Sequence, residues 1–195
     1  MKYKTILADP PWPYNSPKAI VGNGGRGSLN AKNIIQVDVE RHYDTMTLEA
    51  IQNLQIEERC EADAHLYLWT TNSFMVEAHE VARSWGFTPK TILTWVKIQN
   101  SEPVKPSMKT GYWYRSATEH IVFAVRGKLR LAGNATPTAF LLPRLPHSVK
   151  PDFFYDLIED QSPGPYLELF ARRVRDGWSQ WGNQIESTIQ LDSGT

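Results

Sequence analysis

A mostly parallel α/β sheet with helices on both faces is the fold this sequence predicts, and three observations predict it. Short apolar runs rich in β-branched and aromatic residues recur along the chain, and stretches of helical periodicity separate them. Several of the runs are continuous rather than alternating, as expected of strands covered on both faces. A length of 195 residues suits one domain, 1–195, and is short for two. Strands are expected at Lys4 to Ala8, Ala64 to Thr70, Thr91 to Lys97, His120 to Val125 and Tyr166 to Ala171. Thr47 reads as the N-cap of a helix that places Leu48, Ile51 and Leu54 on one face. Phe74, Ala78, Val81, Ala82 and Trp85 form the apolar stripe of a second helix, closed by Gly86. Pro151 opens a third over Asp152 to Asp160, with Phe154, Leu157 and Ile158 facing inward.

Two long segments break the alternation. Residues 13–41 contain Gly22, Gly24, Gly25 and Gly27, and residues 99–112 carry Pro103, Pro106 and Gly111; loops this long in a small domain are commonly functional lids. The glycine run does not lead from a strand into a helix, so it is no phosphate-binding fingerprint. The tail from about 186 to 195 is expected to be disordered. Basic and acidic residues balance at 21 each, which argues against a nucleic-acid binder held by bulk charge. A nucleic-acid site must rest on a local patch, or be completed by a homodimer or partner subunit. Arg126, Lys128 and Arg130, and the run Arg172-Arg173-Val174-Arg175, are the candidate patches; both also read as solvated loops. No apolar run is long enough to span a membrane and no signal peptide is evident. The single cysteine, Cys60, and five histidines without ligand spacing give neither a disulfide framework nor a metal site, so no metal and a cytoplasmic location are expected.

Ligands of open α/β sheets sit beyond the carboxyl ends of the strands. The first strand ends in Asp9-Pro10-Pro11-Trp12, a sequence that serves equally as a strand-terminating turn. It also suits one chemistry. The exocyclic N6 amine of adenine is a poor nucleophile because its lone pair is delocalised into the ring. A carboxylate from Asp9 and a carbonyl from Pro10, fixed by consecutive prolines, could accept its two N–H bonds and free the lone pair for attack on a sulfonium methyl. Trp12 offers a flat face for the unstacked base. Four residues leave both readings open.

Further blocks follow in order: His42-Tyr43-Asp44-Thr45-Met46-Thr47, Leu66-Tyr67-Leu68-Trp69, Trp95-Val96-Lys97, Gly111-Tyr112-Trp113, Glu119-His120 and His147-Ser148-Val149-Lys150-Pro151. Ser162-Pro163-Gly164, Glu168-Leu169-Phe170-Ala171-Arg172 and Gly182-Asn183-Gln184 complete the set. With the tetrad, these blocks resemble the MT-A70 family of N6-adenine methyltransferases over nearly the whole chain. The resemblance implies a Rossmann-like fold of the class I methyltransferase type, with the catalytic motif preceding the cofactor-binding strand. It implies S-adenosyl-L-methionine as cofactor and an adenine N6 amine in nucleic acid as acceptor. By the same resemblance, Asp9, Pro10, Pro11 and Trp12 are catalytic, and Asp9 also faces the cofactor. Lys150 would pair with the cofactor's methionine carboxylate. Arg172, Asn183 and Gln184 would bind the ribose and nearby groups, and Leu169 and Phe170 would form the pocket wall. Glu119, His120 and His42 are not assigned catalytic roles.

The sequence departs from the eukaryotic members in three respects. The cofactor contacts that eukaryotic members make upstream of the first strand are expected to be absent or supplied elsewhere, Val174-Arg175 replaces polar residues, and no glycine-rich loop follows Phe170. The minimal chain favours DNA over RNA as substrate. An RNA N6-adenosine methyltransferase and a non-catalytic partner subunit are the alternatives. Degenerate subunits typically lose the tetrad acid or the cofactor lysine, whereas Asp9, Trp12, Lys150 and Asn183 are all present. Relatives acting on cytosine N4 or a glutamine amide typically start the tetrad with Ser or Asn, so Asp9 argues against both.

Overall fold

A computed structural model describes residues 1–13, 45–108, 114–146 and 148–191. The elements run β1 (Tyr3–Ala8), α1 (Leu48–Gln52), β2 (Cys60–Thr70), α2 (Met75–Ser84), β3 (Thr88–Ile98), β4 (Thr118–Arg126), β5 (Ala139–Pro143), α3 (Phe153–Gln161), β6 (Tyr166–Leu169) and β7 (Trp178–Trp181). Local signals act where the sequence places them. The Thr47 hydroxyl accepts the Ala50 N–H at 3.1 Å and caps α1. Past the end of α2, Gly86 takes a φ of 82°, which only glycine adopts without strain.

The strands form one seven-stranded sheet in the order β5-β3-β4-β2-β1-β6-β7. β1 pairs in parallel with β2 and β6, β6 with β7, and β3 with β5. β4 runs antiparallel to both β2 and β3, so the sheet is mixed though mostly parallel. The reversal has a local cause: no helix lies among the described residues between β3 and β4, and a parallel return needs a crossover.

Alternate residues of each central strand feed two cores, one on each face. Ile6, Ala8, Leu66, Leu68, Val122 and Ala124 pack with Ile51 of α1 and with Ala78, Val81 and Ala82 of α2. Leu7, Tyr67, Trp69, Ile121 and Phe123 pack with Phe154, Tyr155 and Ile158 of α3. Helices thus cover both faces, which is why these strands read as continuous apolar runs.

Two features differ from the sequence reading. β6 stops at Leu169 rather than Ala171, because Phe170 turns into the left-handed region at φ 63°. β5 and β7 have no counterpart among the expected strands; both are short, and each lies at an edge of the sheet. The tail is described as far as Leu191: the Thr188 N–H donates to the Gln180 carbonyl at 2.8 Å, and Ile189 and Leu191 pack on the first core. Of the two expected loops, 99–108 folds back on β3, with the Gln99 N–H donating to the Lys105 carbonyl at 2.8 Å. The 13–41 segment lies outside the described residues from position 14 onward, as do 109–113 and 192–195. Among the described residues no helix is long and apolar enough to cross a membrane.

Candidate active site

Because β1, β2, β3, β6 and β7 run in one direction and β4 runs against them, the carboxyl ends of the five and the start of β4 share one edge. Charged side chains gather there. Lys150, just before α3, donates to Asp9 Oδ2 at 2.7 Å and lies 3.5 Å from Glu119 Oε2. Glu119 in turn pairs with Lys97, whose ammonium sits 4.4 Å from the Trp95 ring centroid. The result is an alternating chain, Asp9–Lys150–Glu119–Lys97, contributed by β1, the approach to α3, β4 and β3. Burial alone would lower the pKa of Lys150, but the Asp9 and Glu119 carboxylates outweigh it and hold the pKa above the usual lysine value. Lys150 therefore stays a cation.

Two clefts open beside Asp9. One, of about 310 Å³, is lined by Asp9, Lys150, Tyr155, Glu168, Phe170, Arg172 and Gln184 among others. The second, of about 330 Å³, is lined by Asp9, Pro11, Met46, Phe170, Arg172, Trp181, Asn183 and Gln184 among others. Asp9, Phe170, Arg172 and Gln184 are common to both, so the two are neighbouring lobes around one carboxylate. Among the described residues, the two non-glycine residues with positive φ are Ser148 at 66° and Phe170 at 63°, and both line the first cleft. Such strain costs on the order of 1–3 kcal/mol each and gathers where side chains must be aimed at a ligand. Gly182 is fixed by crowding: a Cβ there would lie 2.1 Å from the Ala171 carbonyl oxygen, and this close approach carries Asn183 and Gln184 to the cleft.

Most of the sequence-predicted site converges here, and two residues do not behave as expected. Trp12 is only 4% exposed. Its indole N–H donates to the Trp69 carbonyl at 3.1 Å, and its ring stacks on Phe74 at 5.5 Å between centroids. It anchors the tetrad to the core and presents no open face to a base. Leu169 is fully buried and lines neither cleft; its backbone carbonyl accepts the Asp9 N–H at 3.4 Å. The Pro10 carbonyl accepts the Trp12 N–H at 2.9 Å and keeps one lone pair for another donor.

Three of the six basic residues in the expected patches pair with carboxylates. Arg126 pairs with Glu57, Arg173 with Asp152, and Arg175 with Asp156 and Glu159. Sequence reasoning assigned no role to Lys97, Glu119, Tyr155 or Glu168. Lys97, Glu119 and Glu168 lie inside quoted sequence blocks, but nothing in those blocks says which way a side chain points. Glu168 is buried and accepts the Tyr155 hydroxyl at 2.6 Å and the Gln180 amide N–H at 2.7 Å. Burial raises its pKa, with Asp9 adding to the rise, and the two donors only partly offset this.

The MT-A70 family model matches residues 3–184. The chain belongs to the MT-A70 family of N6-adenine methyltransferases. The Type II methyltransferase M.MunI of Mycoplasma sp is 30% identical over 192 residues, which cover 94% of this chain and 78% of that protein. The N(6)-adenosine-methyltransferase catalytic subunit METTL3 of Homo sapiens is 27% identical over 195 residues, covering 98% of this chain and 30% of that protein. The N(6)-adenosine-methyltransferase MT-A70-like of Arabidopsis thaliana is 24% identical and is covered over 25% of its length. The chain thus spans less than a third of these two adenosine methyltransferases.

The clefts suit the family's cofactor on their own chemistry. An S-adenosylmethionine molecule brings a carboxylate, an ammonium, a sulfonium, a ribose and a purine. The lining offers a cation at Lys150, carboxylates at Asp9 and Glu168, amides at Asn183 and Gln184, and aromatic faces at Phe170 and Trp181. Among the described residues, no group of three or more His, Cys, Asp or Glu side chains is placed to hold a metal ion.

Proposed function

We propose that this protein transfers a methyl group from S-adenosyl-L-methionine to the N6 amine of adenine in a nucleic acid, within a Rossmann-like domain of the class I methyltransferase type. The observation that carries the reading is the placement of Asp9. Its carboxylate ends β1 at the junction of the two clefts, beside the Pro10 carbonyl and bonded to Lys150. One lobe can hold a cofactor while the other admits a base, with Asp9 between them.

When bound, the cofactor supplies an electrophilic sulfonium methyl. Lys150 holds its carboxylate as a point charge. Arg172, Asn183 and Gln184 hold the ribose and adjacent groups, and Phe170 forms the wall between. Asp9 and the free lone pair of the Pro10 carbonyl accept the two N–H bonds of the target amine, which fixes its lone pair along one direction. Proline rings at 10 and 11 and the buried Trp12 keep that carbonyl from swinging away. Catalysis is chiefly positioning.

Among the relatives, the type II methyltransferase is matched along most of its own length and the adenosine methyltransferases along less than a third. DNA is therefore the polymer we favour, with RNA N6-adenosine as the alternative. The test is methyl transfer from labelled S-adenosylmethionine to single-stranded DNA, duplex DNA and RNA in parallel, with cofactor binding followed by calorimetry. Label in DNA adenine supports the reading. Label confined to RNA moves the substrate to the alternative, and a folded protein that binds no cofactor overturns the enzyme reading.

A further inference from the structure

The connection from β6 to β7 runs from Phe170 to Gly177 and carries Arg172, which lines both clefts. Its geometry is set by Gln180, a residue 1% exposed, absent from the lining of either cleft and outside every sequence block quoted above. The side chain of Gln180 uses all its main bonding capacity. Its amide nitrogen donates to Glu168 Oε2 at 2.7 Å and to the Arg173 carbonyl at 2.7 Å. Its oxygen accepts the Arg175 backbone N–H at 2.9 Å. An amide is suited to this task, since only it offers two donors and an acceptor on one planar group. One side chain therefore ties the turn just past Arg172 to the buried Glu168, whose other oxygen is held by Tyr155 of α3.

The turn is also braced from outside. Arg173 pairs with Asp152 and Arg175 with Asp156 and Glu159, but these are half-exposed surface pairs that contribute little. The bonds of Gln180, one of them buried and two partly buried, are the ones whose loss leaves a carbonyl, an N–H and a carboxylate oxygen without these partners.

We propose that Gln180 is a positioning residue for the cofactor site, holding the Arg173–Arg175 turn and through it Arg172 at the cleft. The proposal rests on the functional reading above. Gln180→Met keeps the side chain's length and removes all three bonds. In this variant KM for S-adenosylmethionine should rise about tenfold or more, with kcat within about twofold, because binding groups move while Asp9 stays in place. Hydrogen exchange at the Arg175 amide should accelerate in step. Gln180→Asn keeps the amide but is one methylene too short to reach Glu168, the Arg173 carbonyl and the Arg175 N–H together, so it should show a smaller KM rise with the same faster exchange.

A purely structural role predicts a lower Tm with wild-type KM in the folded fraction, and that result overturns the proposal. Unchanged Arg175 exchange in Gln180→Met overturns it as well. Should Gln180→Met fail to fold, Gln180→Asn decides: a raised KM for S-adenosylmethionine with faster Arg175 exchange supports the proposal, and a wild-type value of either refutes it. Failure of the wild type to bind cofactor would sink the functional reading, while Arg175 exchange would still report whether Gln180 holds the turn.

Discussion

Replacing Trp12 by Phe separates an anchor from a stacking platform. The substitution keeps an aromatic ring against Phe74 but removes the N–H that reaches the Trp69 carbonyl at 3.1 Å. Withdrawing the donor from that buried carbonyl costs about 1–3 kcal/mol. At roughly 2–4 °C per kcal/mol for a domain of this size, Tm should fall by about 2–12 °C. Trp12→Ala also opens a cavity in the core and should cost about 3–5 kcal/mol. Asp9 lies three residues before this anchor, so the kinetic signature of Trp12→Phe should be a lower kcat, with KM for the nucleic acid changed less than about threefold. Melts by circular dichroism and steady-state methyl transfer on one oligonucleotide provide both numbers. A wild-type Tm combined with a large rise in oligonucleotide KM would show that Trp12 meets the base, and the anchoring argument would be wrong.

Other changes test the remaining contacts. Lys150→Met removes the cation between Asp9 and Glu119 and should weaken cofactor binding by about 10–100-fold in calorimetry, through loss of a charge-assisted bond; unchanged affinity would remove Lys150 from the cofactor site. Gly182→Ala forces a Cβ to within 2.1 Å of the Ala171 carbonyl, so it should lower Tm and cofactor affinity together, and a neutral outcome would mean that β6 and β7 can part freely. His65 is buried, accepts the Ser162 hydroxyl at Nδ1 when it donates to the Leu129 carbonyl from Nε2, and burial lowers its pKa below the ordinary value of 6.5. Its neutral form is thus worth stability that is complete above about pH 6.5 and is lost as pH falls from there toward the folded pKa. His120 shifts in the same direction, so the comparison of wild type with His65→Gln isolates the effect: chemical denaturation should show a smaller loss between about pH 7 and 5 in the variant, and parallel pH curves would refute it.

How much was legible in the sequence follows from which physical signals are local. Caps and stripes are local, so Thr47, Gly86 and the α2 face emerged from spacing alone. The central strands were legible because burial on both faces makes them continuous apolar runs. β7 was not, because Trp-Ser-Gln-Trp alternates over only four residues, and its inward Gln180 is polar for a reason that exists only in three dimensions: it serves Glu168 and the Arg173–Arg175 turn. The direction of β4 also depends on its connection rather than its composition. In the site, motif order singled out Asp9, Lys150, Arg172, Asn183 and Gln184, and these residues line the two clefts. It could not say that Trp12 and Leu169 turn inward, since an aromatic or a leucine at a strand end is equally at home in a core or a pocket. Nor could charge counting show that Arg173 and Arg175 are spent on α3. That depends on where a helix packs.

The most direct measurement is nucleoside analysis of DNA methylated from labelled S-adenosylmethionine by wild type and by Asp9→Asn. Label is expected in N6-methyladenine alone, with Asp9→Asn at least about 100-fold slower while still folded and still binding cofactor, because one acceptor of the amine has been replaced by a weaker, neutral one. Label in another base, or Asp9→Asn turning over at the wild-type rate, would contradict that expectation.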